Sequence, residues 1–352
     1  MTDQLLIDTA ERLFGDVCDF AAVEAAEAEG FATDAWSAVA EMGLPWIGVD
    51  EAAGGAGGDL VDALAVLRVA GAHAVPLPLA ETGVLAGWLL ASAELTVPDG
   101  AVTVAPGDPA DDLTLTDGLV SGTVNRVPWG SAVNDLVILV DDGDSATVVL
   151  VDTASATLEP YVNLAGESRD TLVFDRVEPL ASGPAGDGVD ADALLYRGAL
   201  TRVMLMAGAL DAMSRLTVSY THEREQFGRP VARFQAVQSH LVTCAQEAAI
   251  AGVTADAVMR RLAHDEARFE IAAAKVVVSE AATKATAAAH QAHGAMGLTK
   301  EYELHHLSRR LWAWRNEYGG ARYWSQVLGE AVVDVGGDGL YPLITGGSAA
   351  LG

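Results

Sequence analysis

A chain of 352 residues is long enough for two or three domains around a substantial core. It carries 49 acidic residues against 21 lysines and arginines, a net charge of −28. Such a field repels nucleic acid and anionic membrane surfaces, so a phosphate-bearing ligand has to be gripped by a few local Arg residues and helix ends. Half of the residues are hydrophobic, yet no long run lacks charge or strong polarity, so the sequence predicts a soluble cytoplasmic protein with no membrane span.

The first stretch, MTDQLLIDTAERLFGD, is acidic and lacks the basic start and apolar core of a secretory signal. It reads as an amphipathic helix with Leu5, Leu6, Thr9, Leu13 and Phe14 near one face. TDAWSAVAEMG has a Thr or Asp start and a Gly stop, GDLVDALAVLRVAGAHA starts behind Asp59, and PLAETGVLAGWLLASAEL follows Pro78. Residues 1–98 therefore read as a helical domain. Residues 99–185 change character: AVTVA, LTLTDGLVSGTV, DLVILVDD, ATVVLVD and DTLVFDRV are short, β-branched and separated by turn residues, as in a small antiparallel sandwich or barrel. With no helices between the strands, a doubly wound parallel sheet is disfavoured. ASGPAGDGVDADA, 181–193, reads as a linker. Beyond it come helices over about 190–222, 231–262, 265–291, 300–315 and 320–334, then a glycine-rich tail, so 186–352 reads as a helical bundle. The fold class is mainly α with a middle β domain.

Cys18 and Cys244 lie far apart in helix-like segments, which favours buried thiols in a reducing compartment, and no paired-Cys metal spacing exists. GGAGGD, 54–59, invites a phosphate-loop reading, but it lacks the preceding strand and the following Lys-Ser/Thr. A helix connection with Asp59 as N-cap fits better.

HEREQFGRPVARFQ, 222–235, is more informative. Helical periodicity runs to Gln226, then Phe227-Gly228 and Pro230 force a break and leave Arg224, Gln226 and Phe227 clustered at a corner. An Arg and an amide there suit a pyrophosphate, and Phe227 suits a ring system. A helix end with a basic cap and a core Phe explains the same spacing. HQAHGAMGLTKEYEL, 290–304, ends a long helix in the small turn Gly294-Ala295-Met296-Gly297, with Gln291 ready to hydrogen-bond a ligand and Thr299 a plausible N-cap for the next helix. A Gly-rich C-cap is the plainer account. His290 and His293 find no third ligand at a fitting position and read as structural.

In this order and about 65 residues apart, Arg-Glu-Gln-Phe-Gly-Arg-Pro with a downstream Phe-Gln, and Gln-Ala-His-Gly-Ala-Met-Gly, resemble the acyl-CoA dehydrogenase family of flavoproteins, as does the helix–β–helix order. The resemblance implies an N-terminal helical domain, a β-barrel and a C-terminal four-helix bundle, with FAD lying across a subunit interface. By motif match, Arg224 and Gln226 would contact the pyrophosphate, with Phe227 and Gln235 packed nearby. Gln291, Gly294 and the Ala295 backbone would face the ADP moiety of the neighbour's FAD. The implied chemistry is α,β-dehydrogenation of an acyl-CoA substrate. A glutamate removes the α-proton, the β-hydrogen leaves as hydride to the flavin, and electrons pass to an electron-transfer partner.

The sequence departs from that pattern on the flavin side. One family position for the base falls on Tyr318, with Glu317 just before it in WRNEYGGA, and a one-residue offset on a helix is a rotation of about 100°. Glu317 is thus a weak candidate base, the plainer reading being a surface glutamate paired with Arg315 or Arg322. The other base position falls near Gly198, and residues 193–210 hold no Asp or Glu at all. The family's flavin-contacting Thr-Glu-Pro and Gly-Ser-Asp pattern is replaced by APGDPADD, 105–112. In RVPWGS, 126–131, Trp129 takes the place of a hydroxyl residue and could fill the flavin's space. The ADP-gripping half is present and the half serving the chain's own flavin is degraded. Such a chain would suit a hetero-oligomer with a catalytic sister subunit, a heterotetramer, of the kind that handles bulky steroid-derived acyl-CoAs. A self-sufficient homo-oligomer using Glu317 and a structural homologue that binds no FAD are the alternatives.

Overall fold

A computed structural model describes residues 4–347 except 142, 144 and 265. The chain forms two compact units, one running up to Leu67 and including Pro76–Thr201, the other comprising Arg68–Val75 and Arg202 onward.

The first unit begins with helices α1 (Gln4–Val17), α2 (Phe20–Glu29), α3 (Thr33–Glu41) and most of α4 (Leu60–Ala72). On α1 it is Ala10 and Phe14 that are buried, while Leu5 is 72% exposed, so the apolar face is rotated from the one the sequence suggests. The α2 ends follow from local chemistry: the Asp19 carboxylate accepts the Ala22 N–H at 2.8 Å, and Gly30 closes the helix at φ +85°. Asp59 caps α4 the same way, accepting the Asp62 N–H at 2.9 Å. The glycine run before it is a packed corner, in which a Cβ on Gly55 would come 2.1 Å from the Val49 carbonyl oxygen. Residues Ala80–Gly87 form a fully buried π-helical stretch that runs into α5 (Trp88–Ser92). Sequence periodicity does not separate this from an ordinary α-helix.

The strands are β1 (Val102–Val104), β2 (Thr114–Thr116), β3 (Leu119–Pro128), β4 (Asp135–Asp141), β5 (Ala146–Asp152), β6 (Thr157–Glu159), β7 (Arg169–Val177) and β8 (Ala181–Pro184). They make two four-stranded sheets, ordered β1-β4-β5-β8 and β2-β3-β7-β6. Val120, Val124, Leu172 and Phe174 from one sheet meet Leu136, Ile138, Val149 and Val151 from the other in a single apolar core. The pairing is antiparallel except between β1 and β4, which are parallel. Strand β8 occupies the start of the expected linker, because Ala181–Pro184 completes the sheet beside β5.

The second unit holds most of α6 (Ala191–Glu223), then α7 (Gln235–Leu262), α8 (Arg268–His293), α9 (Leu304–Trp314) and α10 (Ala321–Gly346). By length and composition α6 and α7 could each cross a membrane, but 78% of the apolar window of α6 is buried inside the protein, as befits a core helix. The expected glycine-rich tail is instead the second half of α10, which kinks at Gly336 (φ +67°) and continues to Gly346. Where the end of α4 crosses α6 the backbones touch. A Cβ on Gly71 would lie 2.0 Å from the Leu205 carbonyl oxygen, and one on Gly208 1.8 Å from that of Arg68. No side chain can yield there, since both clashes are with backbone. Gly208→Ala is expected to cost about 2–4 kcal/mol, read as a lower urea midpoint with an unchanged slope; an unshifted midpoint would show that the helices separate freely.

Candidate functional site

Helix α6 stops at Glu223, earlier than its periodicity suggests, and the Arg224 N–H closes its last turn on the Tyr220 carbonyl at 2.8 Å. The chain then makes a hairpin, β9 (Glu225–Gln226) against β10 (Arg229–Pro230). Its two turn residues, Phe227 and Gly228, both have left-handed φ, +51° and +76°. A two-residue hairpin needs that twist at both positions. Gly adopts it freely, whereas an L side chain there costs roughly 1–2 kcal/mol. The strained Phe227 ring is 92% exposed, with Phe234 edge-on behind it at 6.1 Å and the Arg229 guanidinium 4.2 Å over the Phe234 ring. The structure does not use Phe227 as a core residue. Arg224 and Gln226 flank it, and Gln235 opens α7; all three are exposed.

The second motif closes α8. Gly294 turns the chain at φ +61°, its N–H donating to the His290 carbonyl, and Gly294–Leu298 form a 3₁₀ turn. Gln291, Gly294 and Ala295 are exposed, and a Cβ on Gly294 would meet nothing within 4 Å. Thr299 does not cap α9, which starts five residues later. Its hydroxyl donates to the Met296 carbonyl at 3.0 Å and fastens the turn instead. The two motifs are joined by Tyr220, whose ring stacks on His293 at 4.4 Å and whose hydroxyl donates to the His293 carbonyl at 3.3 Å, with Tyr302 edge-on at 5.1 Å. The ends of α6 and α8 are thereby held at one end of the bundle. His293 Nδ1 is 2.8 Å from the Ala289 carbonyl, and burial lowers its pKa, so the ring stays neutral and can stack. His290 Nδ1 and His293 Nε2 are buried without a hydrogen-bond partner among the described residues. Exposed guanidinium and amide groups, an exposed aromatic ring and an open glycine turn form a donor set that suits a flat ligand carrying phosphate.

Glu317 lies elsewhere in this unit, in the turn between α9 and α10, and is not a solvated surface residue. Its carboxylate is 2.7 Å from the Nε of Arg202 on α6, whose side chain is 2% exposed. The turn is built around buried cations that sequence reasoning missed. Lys275 on α8 donates from Nζ to the Arg315 and Gly319 carbonyls at 2.9 and 2.7 Å, and the Arg202 guanidinium lies 5.2 Å over the Tyr318 ring. Tyr318 and Gly319 are both left-handed, at φ +51° and +84°, and Trp324 Nε1 donates to the Tyr318 carbonyl at 2.9 Å. Burial pushes the Lys275 pKa down to about 7, helped by the Arg202 charge and opposed by Glu317. Arg315, the partner expected for Glu317, stacks on Trp312 at 3.8 Å and donates to the Thr283 hydroxyl. Lys275 is one of only three lysines and falls on the apolar face of α8, the one sequence signal that pointed to it.

In the first unit, the loops at 105–112 and 126–131 are closed by the chain's own groups. Trp129 is buried at φ +58°, edge-on to Phe31 at 6.3 Å. Beneath it the buried Asp170 carboxylate accepts the Ser131 and Tyr161 N–H groups at 2.6 and 3.0 Å and the Ser168 hydroxyl. In 105–112, Asp111 accepts the Asn125 N–H at 2.7 Å and Asp108 pairs with Arg126 at 2.8 Å.

Two family descriptions match the sequence: the N-terminal domain of acyl-CoA dehydrogenases over residues 2–93 and their C-terminal domain over 186–320. The acyl-CoA dehydrogenase IpdE2 of Mycobacterium tuberculosis is 30% identical over 87% of this chain and 90% of its own length. Among solved structures, the ChsE4-ChsE5 complex from M. tuberculosis superposes with a TM-score of 0.86 at 22% identity, covering 95% of this chain and 98% of that one. The Tcur3481-Tcur3483 steroid ACAD G363A variant superposes at 0.82 with 26% identity, covering 94% and 97%.

Lys275 makes stability depend on pH in a defined direction. Its pKa is about 7 in the folded chain against 10.5 as the ordinary value, so between these the unfolded chain binds the extra proton and stability rises with pH. Urea midpoints should climb from pH 7 to 10 in the wild type and flatten in Lys275→Met; equal slopes would refute the buried-lysine account. Glu317→Gln removes the anion 2.7 Å from the buried Arg202 guanidinium and is expected to cost about 2 kcal/mol or more by the same measurement.

Proposed function

This chain belongs to the acyl-CoA dehydrogenase family, and from that premise we propose that it is the nucleotide-clasping subunit of a hetero-oligomeric FAD-dependent acyl-CoA dehydrogenase whose catalytic base comes from a sister subunit. The observation that carries this reading is the fate of Glu317. It is the sole acid near either of the positions where the family keeps its base, and its carboxylate is committed at 2.7 Å to the buried Arg202 guanidinium. A base has to be free to approach the substrate Cα, and swinging Glu317 away would break a largely buried ion pair.

FAD is the family's cofactor and, when bound, supplies the hydride acceptor. On this chain Arg224 and Gln226 would hold the pyrophosphate, and the exposed Phe227 ring and Gln235 would lie against the nucleotide. Gln291, Gly294 and the Ala295 N–H would line the ADP end. Their task is positioning. The left-handed hairpin turn presents Phe227 already fixed, so little ordering cost remains when the nucleotide docks. The second half of the proposal is that the chain's own flavin seat is closed. Trp129 fills the place of a flavin-contacting hydroxyl, and Asp170 satisfies the loop's N–H groups internally. The relatives favour the same division of labour. One neighbour is a complex of two differently named chains, and another is described as a steroid ACAD. We therefore assign bulky, steroid-derived acyl-CoAs as the substrate class, a heterotetramer as the assembly, an electron-transfer flavoprotein as the acceptor and the cytoplasm as the compartment.

The test is flavin stoichiometry after co-purification with an acyl-CoA dehydrogenase-like sister chain. A site shared by two unlike subunits predicts about one FAD per two chains. One FAD per chain, or a chain that dehydrogenates an acyl-CoA by itself and loses that activity in Glu317→Gln, would overturn the reading. In the complex, Arg224→Ala removes a charge-assisted contact and should weaken FAD retention by about tenfold or more.

A further inference from the structure

Arg197, near the start of α6, is half-buried and differs from the buried arginines Arg169 and Arg202 in how it is partnered. Its Nε donates to the Val84 carbonyl, inside the buried π-helical stretch, at 2.6 Å, and its guanidinium carbon lies 4.6 Å from the centre of the half-buried Trp88 ring. The stack fixes the plane and the Nε bond fixes the rotation, leaving the Nη1/Nη2 edge without a partner among the described residues. In a chain with 49 acidic residues an anion is easily supplied: Arg169 has Glu167 at 2.9 Å, and Arg202, five residues further along the same helix, has Glu317. Among the described residues no ion pair to Arg197 is found. Burial brings its pKa down to about 9. Packing alone does not call for a guanidinium, because an aliphatic chain would cover Trp88 without desolvating a cation.

We propose that Arg197 is an anion-recognition site for a carboxylate, held end-on by the two Nη groups over the Trp88-anchored plane. A guanidinium edge offers two parallel N–H groups, matching the two oxygens of a carboxylate. A monoanion suits the position better than a phosphate dianion, since the desolvation penalty grows steeply with charge and Val84, Leu85 and Leu89 around the anchor are all buried. The carboxylate belongs either to a free acid or to the far end of an acyl chain. The assignment stands on Arg197, Trp88 and Val84 alone and does not rest on the FAD reading.

The isolated chain is titrated with adipate, with phosphate and with sodium chloride at matched ionic strength, by calorimetry and thermal unfolding. Adipate should bind and raise the midpoint above the chloride control. Arg197→Lys, which keeps the charge and loses the fork, should weaken binding by about tenfold or more, and Arg197→Met should abolish it. Adipoyl-CoA binding more tightly than hexanoyl-CoA, with the difference lost in Arg197→Lys, would place the carboxylate on the acyl chain; equal binding of the two alongside retained adipate binding would assign a free acid. The proposal fails if adipate does nothing beyond chloride, if phosphate matches it, or if both variants bind it like the wild type. Arg197→Lys keeps the test decisive should Arg197→Met not fold.

Discussion

A guanidinium shut away from water has to find an anion or it opens the structure around it, and the helical unit is organised by that demand at Arg202. Glu317 supplies the anion, which fixes the turn between α9 and α10. Lys275 then binds two carbonyls of the same turn, so the end of α9 is capped by a side chain from α8. Tyr318 and Gly319 take left-handed conformations in consequence, and Trp324 seals the turn from the other side. A segment that would be an ordinary helix connection is thus over-determined by buried charge. This is the structural reason the Glu317 carboxylate is held in an ion pair.

A different kind of constraint operates where the nucleotide is proposed to dock. There the groups are left in water, and what is fixed is the backbone. The Phe227-Gly228 turn and Gly294 are left-handed, and Tyr220 ties one helix end to the other through His293. A neutral His293 matters here, because a protonated ring would be a buried cation whose Nε2 has no hydrogen-bond partner among the described residues. The rigid part of the surface is therefore the scaffold, while the polar side chains around it stay free to meet a ligand.

Much of this was legible in the sequence. The short β-branched runs with turn residues between them gave the sandwich, and Val120, Val124, Leu136 and Ile138 from them lie in its core. The Arg224–Gln235 and Gln291–Ala295 motifs announced themselves because Phe-Gly-Arg-Pro and Gly-Ala-Met-Gly break helices in the same unusual manner. What stayed hidden depended on contacts across the chain. The Arg202–Glu317 pair spans 115 residues, so the acid looked like a surface residue and its partner like a helix arginine. The π-helical stretch is invisible because Ala80–Gly87 are all buried, which leaves no polar face to reveal a period. The tail seemed loop-like from its glycines, yet Gly336 concentrates the irregularity in a single kink and the rest stays helical.

On the proposed reading, the two closed regions have a common logic. A catalytic carboxylate and a flavin seat both store unfavourable free energy: one is a charge kept unpaired, the other a set of backbone N–H groups kept waiting for a ligand. A subunit relieved of both tasks can satisfy those groups internally. At Glu317 the carboxylate is satisfied by Arg202. At Trp129 an aromatic side chain occupies the space, and Asp170 takes up the N–H groups of Ser131 and Tyr161. The same relaxation has not reached Phe227, whose ring stays in water at a strained φ with only the edge-on Phe234 beside it among the described residues. That contrast is what a chain should show if selection no longer acts on its own reaction centre but still acts on its grip on a neighbour's cofactor.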